Sequence, residues 1–98
     1  MIIIELTYKQ PLAVVNSLLG EHRAFLDKYY AQGVFIASGP KDPRDGGIIL
    51  ALGDKESIAS IVKEDPFCQH SVADYKITQF AAVKYSQLLE AVMKSQNS

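Results

Sequence analysis

One cysteine, Cys68, and no tryptophan occur in the whole chain. A lone thiol closes no internal disulfide, so packing alone must hold the fold, and a reducing, cytoplasmic setting is expected. Charge of one sign is not in excess either. Ten Lys and Arg against eleven Asp and Glu leave a formal net charge of −1, too little to draw the chain to nucleic acid or to an anionic membrane surface. Apolar runs are short. Met1–Ile4 ends at Glu5, with no basic leader and no small-residue cleavage site, so it does not read as a signal peptide. No run approaches the ~18 residues a membrane span requires.

Other absences narrow the function classes. Gly46-Gly47 is not followed by Lys-Ser/Thr, so there is no phosphate-binding loop. No cysteine pair follows the first apolar segment, as a metal carrier would need. The segment Gly47–Leu52 has no aromatic on which RNA bases could stack. Cys68 and His70 form a short Cys-x-His cluster without a second spaced ligand pair, so no metal and no cofactor are expected.

What is present is an ordinary globular composition: 48% of the 98 residues are hydrophobic and 21% charged. Residues 1–98 read as one domain, with 94–98 as a polar, flexible tail. A domain this short buries only ~60–65% of its unfolded surface, which makes help from a partner subunit reasonable.

Periodicity supplies the elements. Residues 2–8 alternate as a strand. Pro11 opens a helical stretch to Gln32, in which Val15, Leu18, Leu19, His22, Phe25, Leu26 and Tyr29 recur at three- and four-residue steps. Gly20 invites a break nearby, and Gly33 suits the position just past the helix end. Val34–Ser38 reads as a second strand, residues 41–47 as turn, and Ile48–Leu52 as a third strand. Asp54 caps a helix to about Glu64, which Asp65-Pro66 stops. Ala73–Lys84 reads as a fourth strand, with a bulge near Thr78–Gln79 that would bring Phe80 onto the face of Tyr75 and Ile77. A C-terminal helix follows, carrying Tyr85, Leu88, Leu89 and Val92. The order βαββαβ is the α+β, ferredoxin-like pattern with an antiparallel sheet and one extra helix. Strands Ile2–Leu6 and Ile48–Leu52 are apolar on both sides. The sheet face away from the helices therefore calls for cover, by the extra helix in part and by a second copy in a homodimer.

Two polar residues occupy apolar stripes. His22 lies within Leu18–His22–Phe25–Tyr29, and Asp65 extends Ile58–Ile61–Asp65. Both stripes should face the same sheet surface, so imidazole and carboxylate can meet between the helices. That arrangement fixes the ring for acid–base work. It equally describes a satisfied core histidine and a turn-forming aspartate. Ser38-Gly39-Pro40 offers a hydroxyl to a substrate oxygen or simply ends a strand. Phe25 and Tyr29 would line a pocket beside His22 or belong to the core. Lys41 and Arg44 would attract an acidic substrate or stay solvated, and Arg23, ~100° around the helix from His22, points elsewhere.

The series His22-Arg23-Ala24-Phe25-Leu26, Gly33, Ser38-Gly39-Pro40, Asp45-Gly46-Gly47, Asp65-Pro66-Phe67 and Ala73-Asp74-Tyr75 with Phe80 resembles the YCII-related family, in order, over most of residues 2–83. The resemblance implies a dimeric α/β-barrel of two ferredoxin-like subunits, similar in fold to muconolactone isomerases. It implies a site built on His22 and Asp65, with Ser38, Gly39 and Pro40 nearby. Some members of the family are linked to dehydrochlorination or related steps on small aromatic compounds. The expected function is therefore a His–Asp acid–base enzyme for elimination or isomerisation of a small cyclic or aromatic substrate. A non-catalytic binding module is the alternative. Gln69–Val72 departs from the family's small residue, Gly and Leu run, and puts His70 beside the expected site. The helix after Val83 is longer than the family pattern.

Overall fold

Alternation in the first strand sets the architecture. In β1 (Ile2–Tyr8), Ile2, Ile4 and Leu6 are buried, Ile3 and Glu5 half-buried and Thr7 exposed. The computed structural model describes residues 1–97, and side chains of residues 1–94. Its other strands are β2 (Phe35–Pro40), β3 (Gly46–Ala51) and β4 (Ala73–Gln79). They form one antiparallel sheet in the order β2-β3-β1-β4. This is the ferredoxin-like βαββαβ arrangement. Its core lies between the sheet face of Ile2, Ile4, Leu6, Ile49 and Ala51 and the helices.

The first crossover is two helices, α1 (Leu12–Ser17) and α2 (Leu19–Ala31). The break falls at Leu18 (φ −106°, ψ 1°), and Gly20 is helical. Ser17 explains the position: its hydroxyl donates to the Val14 carbonyl at 2.6 Å, a local bond that competes with helix continuation. Helix α2 ends in a Schellman turn. The Val34 N–H donates to Tyr29 O and the Gly33 N–H to Tyr30 O, both at 3.0 Å, and Gly33 takes the left-handed φ of +73° that the turn requires.

The second crossover holds α3 (Lys55–Val62) and a short α4 (Pro66–Gln69). Asp54 caps α3 by accepting from the Ser57 N–H at 2.8 Å, and this contact holds its carboxyl below the usual range. Asp65-Pro66 does more than end α3. Proline is accommodated at the first position of a new helix, where its missing N–H costs nothing.

Two expectations about the strands are corrected. Strand β4 runs without a bulge and stops at Gln79, in unbroken register with β1. Phe80 lies past the strand end, 44% exposed, so its irregular spacing needs no bulge. The irregularity is in β2, where Phe35 pairs with Ala51 and Ala37 with the adjacent Leu50. At the C-terminus, a 3₁₀ turn (Gln87–Leu89) leads into α5 (Glu90–Asn97). Met93 is buried there, in a recess with Met1, Gln79 and Phe80. Of the expected polar tail, Ser98 lies outside the described residues. Among the described residues no helix is long and apolar enough to cross a membrane.

Candidate active site

Helix α2 carries His22 in its first turns, on the face shared with Phe25 and Tyr29. Asp65 reaches it from the start of α4. His22 Nδ1 stands 2.8 Å from Asp65 Oδ1. The carboxylate is wholly buried, while the imidazole keeps 13% exposure. Burying a charged group demands partners, and Asp65 has three. Oδ1 also accepts the Phe67 N–H at 3.0 Å, and Oδ2 accepts the Tyr75 hydroxyl at 2.5 Å. Asp65 is therefore a helix cap and the histidine's partner at once.

This geometry fixes the imidazole. A carboxylate accepts and does not donate, so the ring proton belongs on Nδ1 and the Nε2 lone pair is left free. Phe67, the second residue of α4, lies flat against the ring, with centroids 4.1 Å apart and planes 8° from parallel. Tyr75 holds the far oxygen. Burial first, and the neighbouring Asp65 carboxylate second, push its phenol well above the ordinary value, so it remains a proton donor to Asp65.

The imidazole edges a cavity of about 310 Å³. Its walls are Leu19, His22, Arg23 and Leu26 of α2, Leu6 and Tyr8 of β1, Ser38–Pro40 of β2 and Gly47–Ile49 of β3, with Arg44 from the hairpin loop. The β2 bulge is what delivers Ser38. Strict alternation from the buried Phe35 would turn residue 38 to the opposite sheet face. The extra residue restores it to the face of its partner Ile49. The Ser38 hydroxyl is paired with the Tyr30 hydroxyl at 2.7 Å, so α2 supports it from the side.

Of the residues singled out in sequence, His22, Ser38, Gly39 and Pro40 line this one cavity and Asp65 sits directly behind His22. Phe25 and Tyr29 do not line it. They are packed in an aromatic cluster with Phe35, at ring separations of 5.4–5.7 Å, because the sheet-facing side of α2 is buried further along. Tyr29 also donates to Glu64 at 2.5 Å, and Glu64 accepts from Lys28 at 2.8 Å, which fastens α2 to the residue preceding Asp65. His70 lies exposed at the end of α4, outside the cavity wall. Among the described residues no group of three or more His, Cys, Asp or Glu gathers around it or Cys68. Arg23, expected to point elsewhere, lines the cavity, since a 100° step still falls within reach of a long side chain. Lys41 instead crosses the other sheet face, 3.3 Å from both Glu5 and Thr7.

Tyr75, Phe67, Tyr8 and Tyr30 were not singled out as site residues. A signal existed for Tyr75 and Tyr8: their alternation with Ile77 and with Leu6 puts them on the face that must meet the helices. Phe67 could not be placed without α4, whose four residues are too few for periodicity to show.

The family model of the YCII-related domain matches residues 1–81. No curated protein matches the chain in sequence. Among solved structures, the chain is similar to 5-chloro-2-hydroxyhydroquinone dehydrochlorinase from Burkholderia phenoliruptrix AC1100, in complex with 2,5-dihydroxybenzoquinone. The TM-score is 0.67 at 18% identity, covering 83% of this chain and 94% of that one, a likeness of fold.

Proposed function

The chain belongs to the YCII-related family, and from that premise we propose that it is a small cytoplasmic enzyme catalysing elimination or isomerisation of a small cyclic or aromatic compound. His22 takes a proton from substrate carbon or oxygen at Nε2. In an isomerisation the same atom returns it to another position of the substrate, and in an elimination it releases the proton to solvent while the leaving anion departs with the electron pair of its broken bond. Asp65 orients the ring and stabilises the imidazolium formed in between. Ser38 hydrogen-bonds a substrate oxygen. The observation that carries this reading is the asymmetry of the imidazole: Nδ1 is committed to a buried carboxylate at 2.8 Å, and the same side chain edges a cavity of about 310 Å³. That size suits one ring. The bound quinone of the dehydrochlorinase with the same fold supports a ligand of that class. No step calls for a cofactor.

The test is turnover of a panel of chlorinated hydroquinones and lactones by the wild-type chain and His22→Gln. Loss of at least about 10²-fold in the variant, with an unchanged far-ultraviolet spectrum, is expected for a general acid–base residue. Full activity in His22→Gln would sink the assignment. Tight binding without product across the panel would leave a binding module in its place.

We also propose a homodimer formed through the sheet face opposite the helices. Ile3, Ile48 and Leu50 stand in register on that face and are only half-buried in the single chain, apolar surface of the kind that a second copy covers. A monomeric mass in light scattering at micromolar concentration would refute it.

A further inference from the structure

The charges around the cavity are one-sided. Arg23 and Arg44 line it, and no Asp or Glu does. Asp65 is shut behind the imidazole, at 0% exposure. Among the described residues no carboxylate forms an ion pair with either arginine, whereas four of the eight lysines, Lys9, Lys28, Lys41 and Lys94, have one within 3.5 Å. Arg44 is nonetheless held in place: its Nη2 donates to the Asn16 Oδ1 at 2.8 Å. A neutral amide orients a guanidinium without neutralising it. A chain of net charge −1 thus concentrates two uncompensated guanidiniums, one of them positioned, at a single opening. A cleft lined by one sign of charge raises the local concentration of the opposite ion. The wall also offers Leu6, Leu19, Leu26 and Ile49 to the apolar part of a ligand, with the polar groups of Tyr8, His22 and Ser38 beside them.

We propose that Arg23 and Arg44 bind the carboxylate of the substrate, which makes the ligand a monocyclic carboxylic acid with its ring against the leucines and its reacting edge toward His22. The inference deepens the proposed function and rests on it for the reacting edge only; recognition of the anion stands on the arginines alone. Guanidinium is the side chain best matched to a carboxylate, through paired N–H donors. Because both arginines are exposed, their contribution is screened by salt.

Calorimetric titration of the full chain with benzoate, with its neutral isostere benzamide, and with inorganic phosphate tests this. Benzoate is expected to bind about tenfold more tightly than benzamide. That ratio should fall about threefold in each of Arg23→Gln and Arg44→Gln, and shrink with added sodium chloride. Phosphate, which lacks the ring, should bind more weakly than benzoate. Equal binding of benzoate and benzamide, a ratio untouched by both substitutions, no benzoate binding at about 10 mM, or phosphate matching benzoate would each overturn the inference. His22→Gln separates the two readings. If it abolishes turnover while benzoate and benzamide bind alike, only the anion site falls. If turnover survives in it while the arginine-dependent ratio is present, the acid–base assignment falls and the anion site stands.

Discussion

The Tyr75 hydroxyl donates to Asp65 Oδ2 at 2.5 Å, on the oxygen opposite the one that His22 uses. Helix α2 and strand β4 are thereby joined through one buried carboxylate at the cap of α4. The imidazole's orientation depends on β4 although no residue of that strand lines the cavity. Tyr75 is a positioning residue in this arrangement. Tyr75→Phe should lower stability by about 1–2 kcal/mol for one lost hydrogen bond to a charged acceptor. It should also slow turnover with little effect on KM, since the group acts through Asp65. An unchanged kcat together with unchanged stability would show that Oδ2 needs no donor.

Alkaline pH should find the same group. Tyr75 has its phenol raised, by burial and then by Asp65, so the folded chain holds a proton that the unfolded chain releases. The associated stability is fully present below the unfolded value of about 10 and is lost above it, at about 1.4 kcal/mol per pH unit. Denaturant midpoints measured from pH 8 upward should fall more steeply for the wild-type chain than for Tyr75→Phe. Tyr29, also raised through its bond to Glu64, is common to both proteins and cancels. Parallel curves would contradict the buried donor.

Replacing the carboxylate itself should be costlier. Asp65→Ala leaves the Tyr75 hydroxyl, the Phe67 N–H and His22 Nδ1 without their acceptor and removes the cap of α4. A loss of about 3–5 kcal/mol is expected. Asp65→Asn preserves the shape but must turn an NH₂ toward one of those donors, and about 1–3 kcal/mol should be lost. Equal midpoints for the two variants in urea would show that charge and acceptor geometry are irrelevant at this position.

How far the sequence discloses this arrangement depends on the scale of each signal. Long-range periodicity is enough for the four strands, for their order, and for His22 on the core-facing side of α2. Features made by a single residue are not visible that way. One extra residue in β2 decides which face Ser38 occupies, and its neighbours Ile36 and Ala37 carry no mark of it, whereas the uneven spacing of Phe80 suggests a bulge in β4 that does not exist. The spacing of Phe80 records the end of a strand. Likewise Asp65-Pro66 reads equally well as a stop and as the start of α4. Only the tertiary contact with His22 requires the second. Arg23 escaped because helical geometry locates a Cβ, not the end of a long side chain.

A close backbone approach makes Gly46 irreplaceable. It pairs with Thr7 at the start of β3, and a Cβ there would stand 1.8 Å from the Leu6 carbonyl oxygen. That oxygen is main chain and cannot swing aside. Gly46→Ala should therefore shift the strand pair or part it, at a cost of more than about 2 kcal/mol, and should displace Arg44, two residues upstream. Gly20→Ala is the matched comparison: its Cβ meets nothing within 4 Å, and an alanine inside α2 should stabilise by about 0.5–1 kcal/mol. The two alanines having the same sign in thermal melts would refute the steric account.

Ser71 is the one non-glycine residue with a left-handed backbone among those described, at φ 54°. It occupies the turn that closes α4. The Ser71 N–H donates to Cys68 O at 3.2 Å and the Val72 N–H to Phe67 O at 2.8 Å, the same Schellman pattern that Gly33 completes after α2. An L-residue in that conformation costs about 1–2 kcal/mol. Glycine removes the cost and gives back part of it through the entropy of the unfolded chain. Because the side chain is exposed, little packing is at stake. Ser71→Gly should stabilise by about 0.5–1 kcal/mol, raising Tm by about 2–6 °C for a domain of this size. Ser60→Gly, in the exposed interior of α3, should instead lower stability by about 0.5 kcal/mol. The gain at 71 would reach the site, because the turn anchors the carbonyl of Phe67, whose ring braces His22. Equal losses at both serines would mean that the turn carries no strain.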